Sequence, residues 1–226
     1  MFRRTLGLML AVSAGLVSTA MAQVQTKESQ AAMTPAKALD LLKEGNARFV
    51  AGKPTPRDLH AQVKATTGGQ YPFAAVVSCM DSRVPIELVL DQGIGDVFSL
   101  RDAGNVIDTD FLGSLEYAAK VAGARLIAVV GHTHCGAVKG AIDGVDLGNL
   151  TALLGKIGPS IAAVGPGGSS KDNAYVDRVA EQNVRYSMRE IRERSDIVKE
   201  KVATGKIGLV GGMYDIETGK VLFYAD

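Results

Sequence analysis

Two short segments of this chain carry side chains that commonly bind transition metals. The segment CMDSR (79–83) holds one of the chain's two cysteines, and HTHCG (132–136) holds the other together with two of its three histidines. Zn²⁺ prefers thiolate and imidazole ligands, and a catalytic zinc site typically uses three protein ligands and keeps a fourth position open. Cys79, His132 and Cys135 are therefore the candidate metal ligands.

An acidic and a basic residue, Asp81 and Arg83, follow the first candidate ligand. Asp81 could occupy the fourth zinc position or accept a hydrogen bond from a water bound there. Arg83 could hold the carboxylate through two N–H donors and keep it ionised. An ordinary surface ion pair is the alternative, but the position beside Cys79 favours a catalytic pair.

The same residues allow other interpretations. His134 competes with His132 as a ligand, although a tight turn after a strand would direct residue 134 away from the point that 132 and 135 share. His60 lies in a polar stretch and is predicted to be a surface residue. Two cysteines in an exported protein also suggest a disulfide. A structural disulfide, however, requires none of the neighbouring Asp, Arg and His residues, so the pattern favours a metal.

Residues 1–22 have the pattern of a secretory signal peptide. Arg3 and Arg4 precede an uncharged apolar stretch, which ends in the small-x-small motif AMA (20–22) that signal peptidase cleaves. This stretch is shorter than the ~20 apolar residues of a membrane span. We predict a flexible segment over 23–34 and a single periplasmic domain over 35–226, without a membrane anchor. Cleavage after residue 22 would remove two arginines and change the formal net charge from +1 to −1. A chain with so little net charge shows no excess of basic residues that would indicate nucleic-acid binding.

Both candidate segments follow short apolar runs typical of buried strands, 73–78 and 126–131. Strand-like and helical patterns alternate along the chain, which predicts an α/β fold with a central, mainly parallel β-sheet flanked by helices. The final hairpin, 207–214 and 220–224, should add an antiparallel edge strand. Because ligands bind at the carboxyl ends of such strands, both segments should meet at one edge of the sheet. The Gly- and Pro-rich stretch 155–173 is predicted to be a surface loop.

Several motifs in this order resemble the β-class carbonic anhydrases, in a match that runs from about residue 36 to the final hairpin. Each motif alone is weak evidence, but the ordered set is highly specific. The matching motifs are CxDSRVP (79–85), RDAGN (101–105), GSLEY (113–117) and GHxxCG (131–136).

The resemblance implies reversible hydration of carbon dioxide to bicarbonate and a proton by zinc-bound hydroxide. Cys79, His132 and Cys135 would bind one zinc per chain, and Asp81 with Arg83 would form the catalytic pair. In a closed state known from part of this family, Asp81 would become the fourth zinc ligand.

The resemblance also implies a substrate pocket and an oligomer. Gln70, Phe98, Tyr117 and the backbone N–H of Gly136 would shape the pocket for carbon dioxide and bicarbonate. The family forms homodimers, or higher oligomers built from dimers, with pockets at the interface. Val76 stands where relatives with a bicarbonate-controlled closed state have a Trp, so we expect no such switch here.

Two alternative functions remain to be separated from this one. Relatives of the same fold hydrolyse carbon dioxide analogues, such as carbonyl sulfide or carbon disulfide. A non-catalytic exported zinc-binding module is the other alternative, although zinc binding alone would not require Asp81, Arg83 and Gln70.

Overall fold

Five strands form one sheet in the order β2-β1-β3-β4-β5. In this computed structural model, which describes residues 24–165 and 167–224, β1 to β4 pair in parallel and β5 pairs antiparallel to β4. The mainly parallel sheet with an antiparallel edge strand is therefore confirmed. The strands are β1 (Ala74–Cys79), β2 (Val97–Asp102), β3 (Leu126–His132), β4 (Gly208–Tyr214) and β5 (Val221–Tyr224).

Helices cover both faces of the sheet. The helix α5 continues into a π-helical turn, Tyr117–Val121, in which the N–H of Ala122 donates to the carbonyl of Tyr117 at 2.9 Å. The α-helices are α1 (Lys27–Ala31), α2 (Pro35–Val50), α3 (Leu59–Thr66), α4 (Ile86–Val89), α5 (Thr109–Glu116), α6 (Gly136–Ile142), α7 (Gly148–Gly155), α8 (Gly158–Val164), α9 (Asn173–Arg194) and α10 (Asp196–Ala203).

The two central strands, β1 and β3, are buried along their whole length. Their sequences are apolar and rich in Val, as expected for parallel strands covered on both faces. Alternate side chains enter different cores: Ala75 and Val77 pack with residues of α5, α9 and α10, whereas Ala74 and Val76 pack with residues of α2 and α4. This double burial fixes the strand register, and with it the positions of the residues that follow each strand.

The ends of the sheet bring the two metal-binding segments together. Cys79 is the last residue of β1 and pairs with Asp102 at the end of β2. His132 is the last residue of β3 and pairs with Tyr214 at the end of β4. Both segments therefore leave the sheet at its carboxyl edge, as predicted.

The structure corrects two predictions about loops. Residues 27–31, expected to be flexible, form α1, because the side chain of Gln30 donates to the carbonyls of Pro72 and Ala122 at 2.7 and 2.8 Å. The predicted loop 155–173 contains α8, which begins at a Gly-Pro step and buries Ser160 against α9. Proline at the start of a helix is compatible with helical geometry, so a Gly-Pro pair did not exclude a helix there.

The predicted signal peptide, 1–22, lies outside the described residues. Within the part of the chain that the structure describes, no helix is both long enough and apolar enough to cross a lipid bilayer.

Gly45 allows α2 to approach the turn after α4 closely. A Cβ atom at this position would lie 1.9 Å from the carbonyl oxygen of Leu90. Alanine would improve helix propensity by up to ~1 kcal/mol, but a clash with backbone cannot be relieved by a side-chain rotation. We expect Gly45→Ala to lower the free energy of unfolding in urea by about 1–3 kcal/mol. Gly155→Ala is the control, since nothing lies within 4 Å of the added Cβ, and should not destabilise the protein.

Candidate metal centre

Three buried ligand atoms converge beyond the carboxyl ends of β1 and β3. The sulfurs of Cys79 and Cys135 and a ring nitrogen of His132 all lie within 4.8 Å of one another. The three residues are 4, 2 and 0% exposed, and both cysteines are free thiols. Cys135 is the residue that precedes α6, so the third ligand comes from the start of this helix.

The imidazole of His132 is held in the orientation that a metal ligand requires. Its Nδ1 lies 2.9 Å from the carbonyl oxygen of Thr133, which can only accept, so Nδ1 carries the proton. The other ring nitrogen, Nε2, is buried and has no hydrogen-bond partner among residues 24–165 and 167–224. A buried acceptor without a partner is costly in a folded protein, and a metal bound to two thiolates would satisfy it. The residues present therefore fit a zinc ion.

The two cysteine sulfurs interact directly. The hydrogen bond with Cys135 lowers the pKa of the Cys79 thiol, and the hydrogen bond from the N–H of Gly104 lowers it further. The same hydrogen bond, together with burial, raises the pKa of Cys135. The thiolate form is thus favoured at Cys79 over Cys135, and a dication would favour the ionisation of both.

Asp81 and Arg83 form a tight pair at the mouth of this cluster. Arg83 donates from Nε to Oδ1 at 2.9 Å and from Nη2 to Oδ2 at 2.8 Å, and its backbone N–H also donates to Oδ1. These hydrogen bonds lower the pKa of Asp81 to about 2 despite the opposing effect of burial. The carboxylate faces the ligands, since its Oδ2 lies 3.8 Å from Nε2 of His132.

Comparison with known proteins agrees with this geometry. A sequence profile of the family described as Carbonic anhydrase matches residues 74–221. Carbonic anhydrase 2 of Mycobacterium tuberculosis is 37% identical over 194 residues, which cover 83% of this chain and 92% of the relative. The carbonic anhydrase of Mycolicibacterium smegmatis is 38% identical over 193 residues, with the same coverage of both chains. The chain belongs to the β-class carbonic anhydrase family.

A solved structure supports the same assignment for the fold. One of two tetrameric β-carbonic anhydrases from the fungus Sordaria macrospora superposes with a TM-score of 0.66 at 25% sequence identity, covering 73% of this chain and 86% of the other. The alternatives of a sulfur-analogue hydrolase and of a non-catalytic module are not favoured by these relatives.

In this carbonic anhydrase, Arg101 anchors the segment that carries Cys79 and Asp81. Its side chain donates from Nε to the carbonyl of Cys79 at 3.0 Å and from Nη2 to the carbonyl of Asp81 at 2.7 Å. Arg101 belongs to the RDAGN motif, but its residue type alone does not predict this function. Its partners are backbone carbonyls, which every residue has, so no pattern of residue types identified them.

The two other histidines lie apart from the metal cluster of the carbonic anhydrase. His134 has a positive φ of 57°, its N–H donates to the carboxylate of Asp177 at 2.7 Å, and its ring Nε2 lies 3.8 Å from the same carboxylate. His60 is exposed on α3. The turn after β3 therefore directs residue 134 away from the ligands, as expected.

The residues predicted to shape the substrate pocket fall into two groups. Gly136 adjoins Cys135 at the start of α6. Phe98 and Tyr117 pack edge to face with ring centres 6.1 Å apart and line a cleft beside the edge strand β2. Phe98 pairs with Ala75, four residues before Cys79, which at ~3.3 Å per residue places it roughly 13 Å from the ligand end of the sheet.

Gln70 also lies at the far end of the sheet. It is exposed and precedes the first residue of β1, next to Ile94 and Gly95, which lead into β2. Within one chain, the structure therefore does not bring Gln70, Phe98 and Tyr117 to the metal ligands.

Proposed function

We propose that this protein catalyses the reversible hydration of carbon dioxide to bicarbonate and a proton, with one zinc ion per chain. The observation that carries this proposal is the carboxylate of Asp81. It is locked by Arg83 and faces Nε2 of His132 in a buried Cys-His-Cys cluster. A structural metal site would have no use for an ionised acceptor in this position.

Cys79, His132 and Cys135 would hold the zinc ion. Bound there, zinc supplies a Lewis acid that makes a coordinated water acidic enough to react near neutral pH. Two thiolates offset the charge of the dication, so groups around the ligands matter more than they would beside three neutral imidazoles.

Asp81 is the acceptor that orients the attacking water. Because its pKa is about 2, the carboxylate remains ionised at neutral pH and can only accept hydrogen bonds. The bidentate contact with Arg83 fixes the plane of the carboxylate, which leaves one lone-pair direction of Oδ2 for the reacting water. The backbone N–H of Gly136 is proposed to donate to bicarbonate beside Cys135.

The first test combines carbon dioxide hydration by stopped flow with a measurement of zinc content. We expect about one zinc per purified wild-type chain and rapid hydration. Cys135→Ser should lose both zinc and hydration activity, because the substitution replaces a thiolate ligand with a hydroxyl that does not ionise at neutral pH. Zinc-free wild type, prepared with a chelator, should recover hydration when zinc is added. A metal-free native protein with a disulfide between Cys79 and Cys135 would overturn the proposal.

We also propose that the active unit is a homodimer or a higher oligomer built from dimers, in which Gln70, Phe98 and Tyr117 complete the pocket of the partner. The position of these residues at the opposite end of the sheet supports this arrangement. Tyr117, which packs against Phe98 of the edge strand β2, is 49% exposed, and Val121, one turn further, is 69% exposed. The Sordaria macrospora relatives are described as tetrameric.

Mixed dimers test whether the pocket is shared. Asp81→Asn and Tyr117→Ala each impair the pocket when present in every chain. In a mixed dimer with one variant of each kind, a shared arrangement leaves one pocket with Asp81 and the partner's Tyr117 both intact. Co-expressed, doubly tagged and doubly purified dimers should therefore recover about half of the wild-type rate per dimer. Absence of recovery would show that each pocket forms within one chain.

We further propose that the protein is exported to the periplasm and that residues 1–22 are removed. The support is the basic pair, the apolar stretch and the AMA motif in the sequence. N-terminal sequencing of protein from a periplasmic extract should begin at Gln23. Recovery of the uncleaved chain in the cytosol would contradict the proposal.

A further inference from the structure

A series of buried hydrogen bonds connects α9 with the sulfur of Cys79. The hydroxyl of Ser160 donates to Oδ1 of Asn183 at 3.2 Å, and Nδ2 of Asn183 donates to the carbonyl of Gly104 at 2.7 Å. The N–H of Gly104 in turn donates to Sγ of Cys79 at 3.3 Å. Ser160 and Asn183 are 0 and 1% exposed, so water does not compete for these bonds.

The turn that contains Gly104 depends on α9 for its position. Gly104 and Asn105 both have positive φ, 82° and 45°, and two consecutive left-handed residues are uncommon outside tight turns. A Cβ at Gly104 would lie 2.9 Å from Cδ1 of Ile157, so the turn is packed without spare room. One turn further along α9, the hydroxyl of Ser187 donates to the carbonyl of Asn105 at 2.9 Å.

The bond from Gly104 to Cys79 has a direct effect on a metal ligand. An N–H donor withdraws electron density from a thiolate and stabilises its negative charge, as peptide N–H groups do around metal–sulfur centres. The bond also fixes the direction of the sulfur lone pairs. Both effects weaken when the turn moves away from Cys79, because a hydrogen bond depends on distance and on angle.

We propose that Asn183 is a positioning residue of the zinc site. By holding the carbonyl of Gly104, its side chain keeps the N–H of the same residue on the sulfur of Cys79 and thereby sets the zinc affinity. This inference rests on the zinc site of the proposed function, on which Asn183 acts through its hydrogen bond to Gly104.

Zinc affinity and the spectrum of the cobalt-substituted protein test the inference. Asn183→Ala should raise the zinc dissociation constant, measured by competition with a chromophoric chelator, by about 10- to 100-fold. In the Co²⁺-loaded variant, the sulfur-to-cobalt charge-transfer band should move to longer wavelength, because a thiolate without its N–H donor releases electron density more readily. Ser160→Ala leaves the amide in place but removes the group that orients it, and should shift both quantities in the same direction by less.

Asn46→Ala is the matched control. Asn46 is 6% exposed and its side chain also holds two backbone carbonyls, those of Val89 and Gly219, at 3.1 and 2.9 Å. We expect Asn46→Ala to lower the melting temperature much as Asn183→Ala does, but to leave zinc affinity and the cobalt band unchanged. If Asn183→Ala folds too poorly to purify, Ser160→Ala decides the question by itself.

Three outcomes would overturn the inference. The first is an unchanged dissociation constant and cobalt band in the variants of Asn183 and Ser160, in a wild type that binds zinc and hydrates carbon dioxide. The second is an equal shift in Asn46→Ala, which would reflect general loosening of the fold. The third is a wild type that binds no zinc, which would overturn the proposed function as well.

Discussion

Replacing Asp81 with asparagine is expected to lower the rate of carbon dioxide hydration by about 10²- to 10⁴-fold while the protein keeps its zinc. Asparagine has nearly the same shape but carries no charge, and its amide presents a donor where the reacting water needs an acceptor. The substitution also removes the carboxylate that accepts two hydrogen bonds from the Arg83 guanidinium, at 2.9 and 2.8 Å. The three ligands, by contrast, are unchanged, so zinc content should stay near that of the wild type.

Stopped-flow rates and zinc content are to be measured on the same preparation. Asp143→Asn is the control, since Asp143 is an exposed residue directly after α6 and takes no part in the site. Its rate should equal that of the wild type. A fully active Asp81→Asn protein with its complete zinc content would show that Asp81 is not the acceptor.

Replacing Asp91 with asparagine is expected to lower the free energy of unfolding by about 3–5 kcal/mol. Asp91 is 4% exposed and accepts hydrogen bonds from Arg57, Arg48 and both the N–H and hydroxyl of Thr55. Its removal would leave the guanidinium of Arg57, whose side chain is 12% exposed, without the carboxylate that it contacts directly. Asparagine tolerates the positive φ of 47° at this position, so the variant removes the charge, and one of the two acceptor oxygens, without straining the backbone.

The same carboxylate gives a pH dependence with a definite sign. Burial raises the pKa of Asp91, but hydrogen bonds from Arg57, Arg48 and Thr55 outweigh it and lower the pKa to about 2. Because this folded-state value lies below the unfolded one of ~3.9, ionised Asp91 stabilises the protein above about pH 4. Roughly 2 kcal/mol of this stabilisation is lost as the pH falls from about 4 to about 2.

Urea unfolding at several pH values checks both expectations. The difference in stability between the wild type and Asp91→Asn should be largest near neutral pH and should narrow below about pH 4. Glu181→Gln is the control: Glu181 pairs with Arg185 at 2.7 Å on the surface of α9, with both side chains more than a third exposed, and should change stability by less than ~1 kcal/mol. A pH-independent difference for Asp91→Asn would exclude the charge as its cause.

Those parts of the site that depend on residue type and strand direction could be predicted from the sequence. Cys79 and His132 are found at the ends of buried parallel strands, and Asp81 with Arg83 forms the expected pair, because these contacts are local or follow from the register of one sheet. The contacts of Arg101, Gly104 and Asn183 could not be predicted. These hydrogen bonds connect segments that are distant in the sequence, and one partner in each is a backbone group. Because every residue has backbone groups, the pattern of residue types does not identify such contacts.

The network around Asp91 was missed for a related reason. Arg48, Thr55 and Arg57 lie far from Asp91 in sequence and belong to stretches that look like ordinary solvated surface. They meet at Asp91 only because α2 approaches the turn after α4, and that approach is possible because residue 45 is a glycine and has no Cβ. A single glycine within a helical pattern does not indicate which backbone lies against it.

The three metal ligands come from the end of β1, the end of β3 and the residue before α6, and so they meet only after the sheet has assembled. Zinc that binds to such a site has little affinity for the unfolded chain, and its binding free energy adds to the stability of the native state. Each tenfold rise in free zinc above the dissociation constant therefore contributes about 1.4 kcal/mol. The concentration of free zinc around the newly folded chain thus affects the fraction of unfolded, protease-sensitive chain as well as the activity.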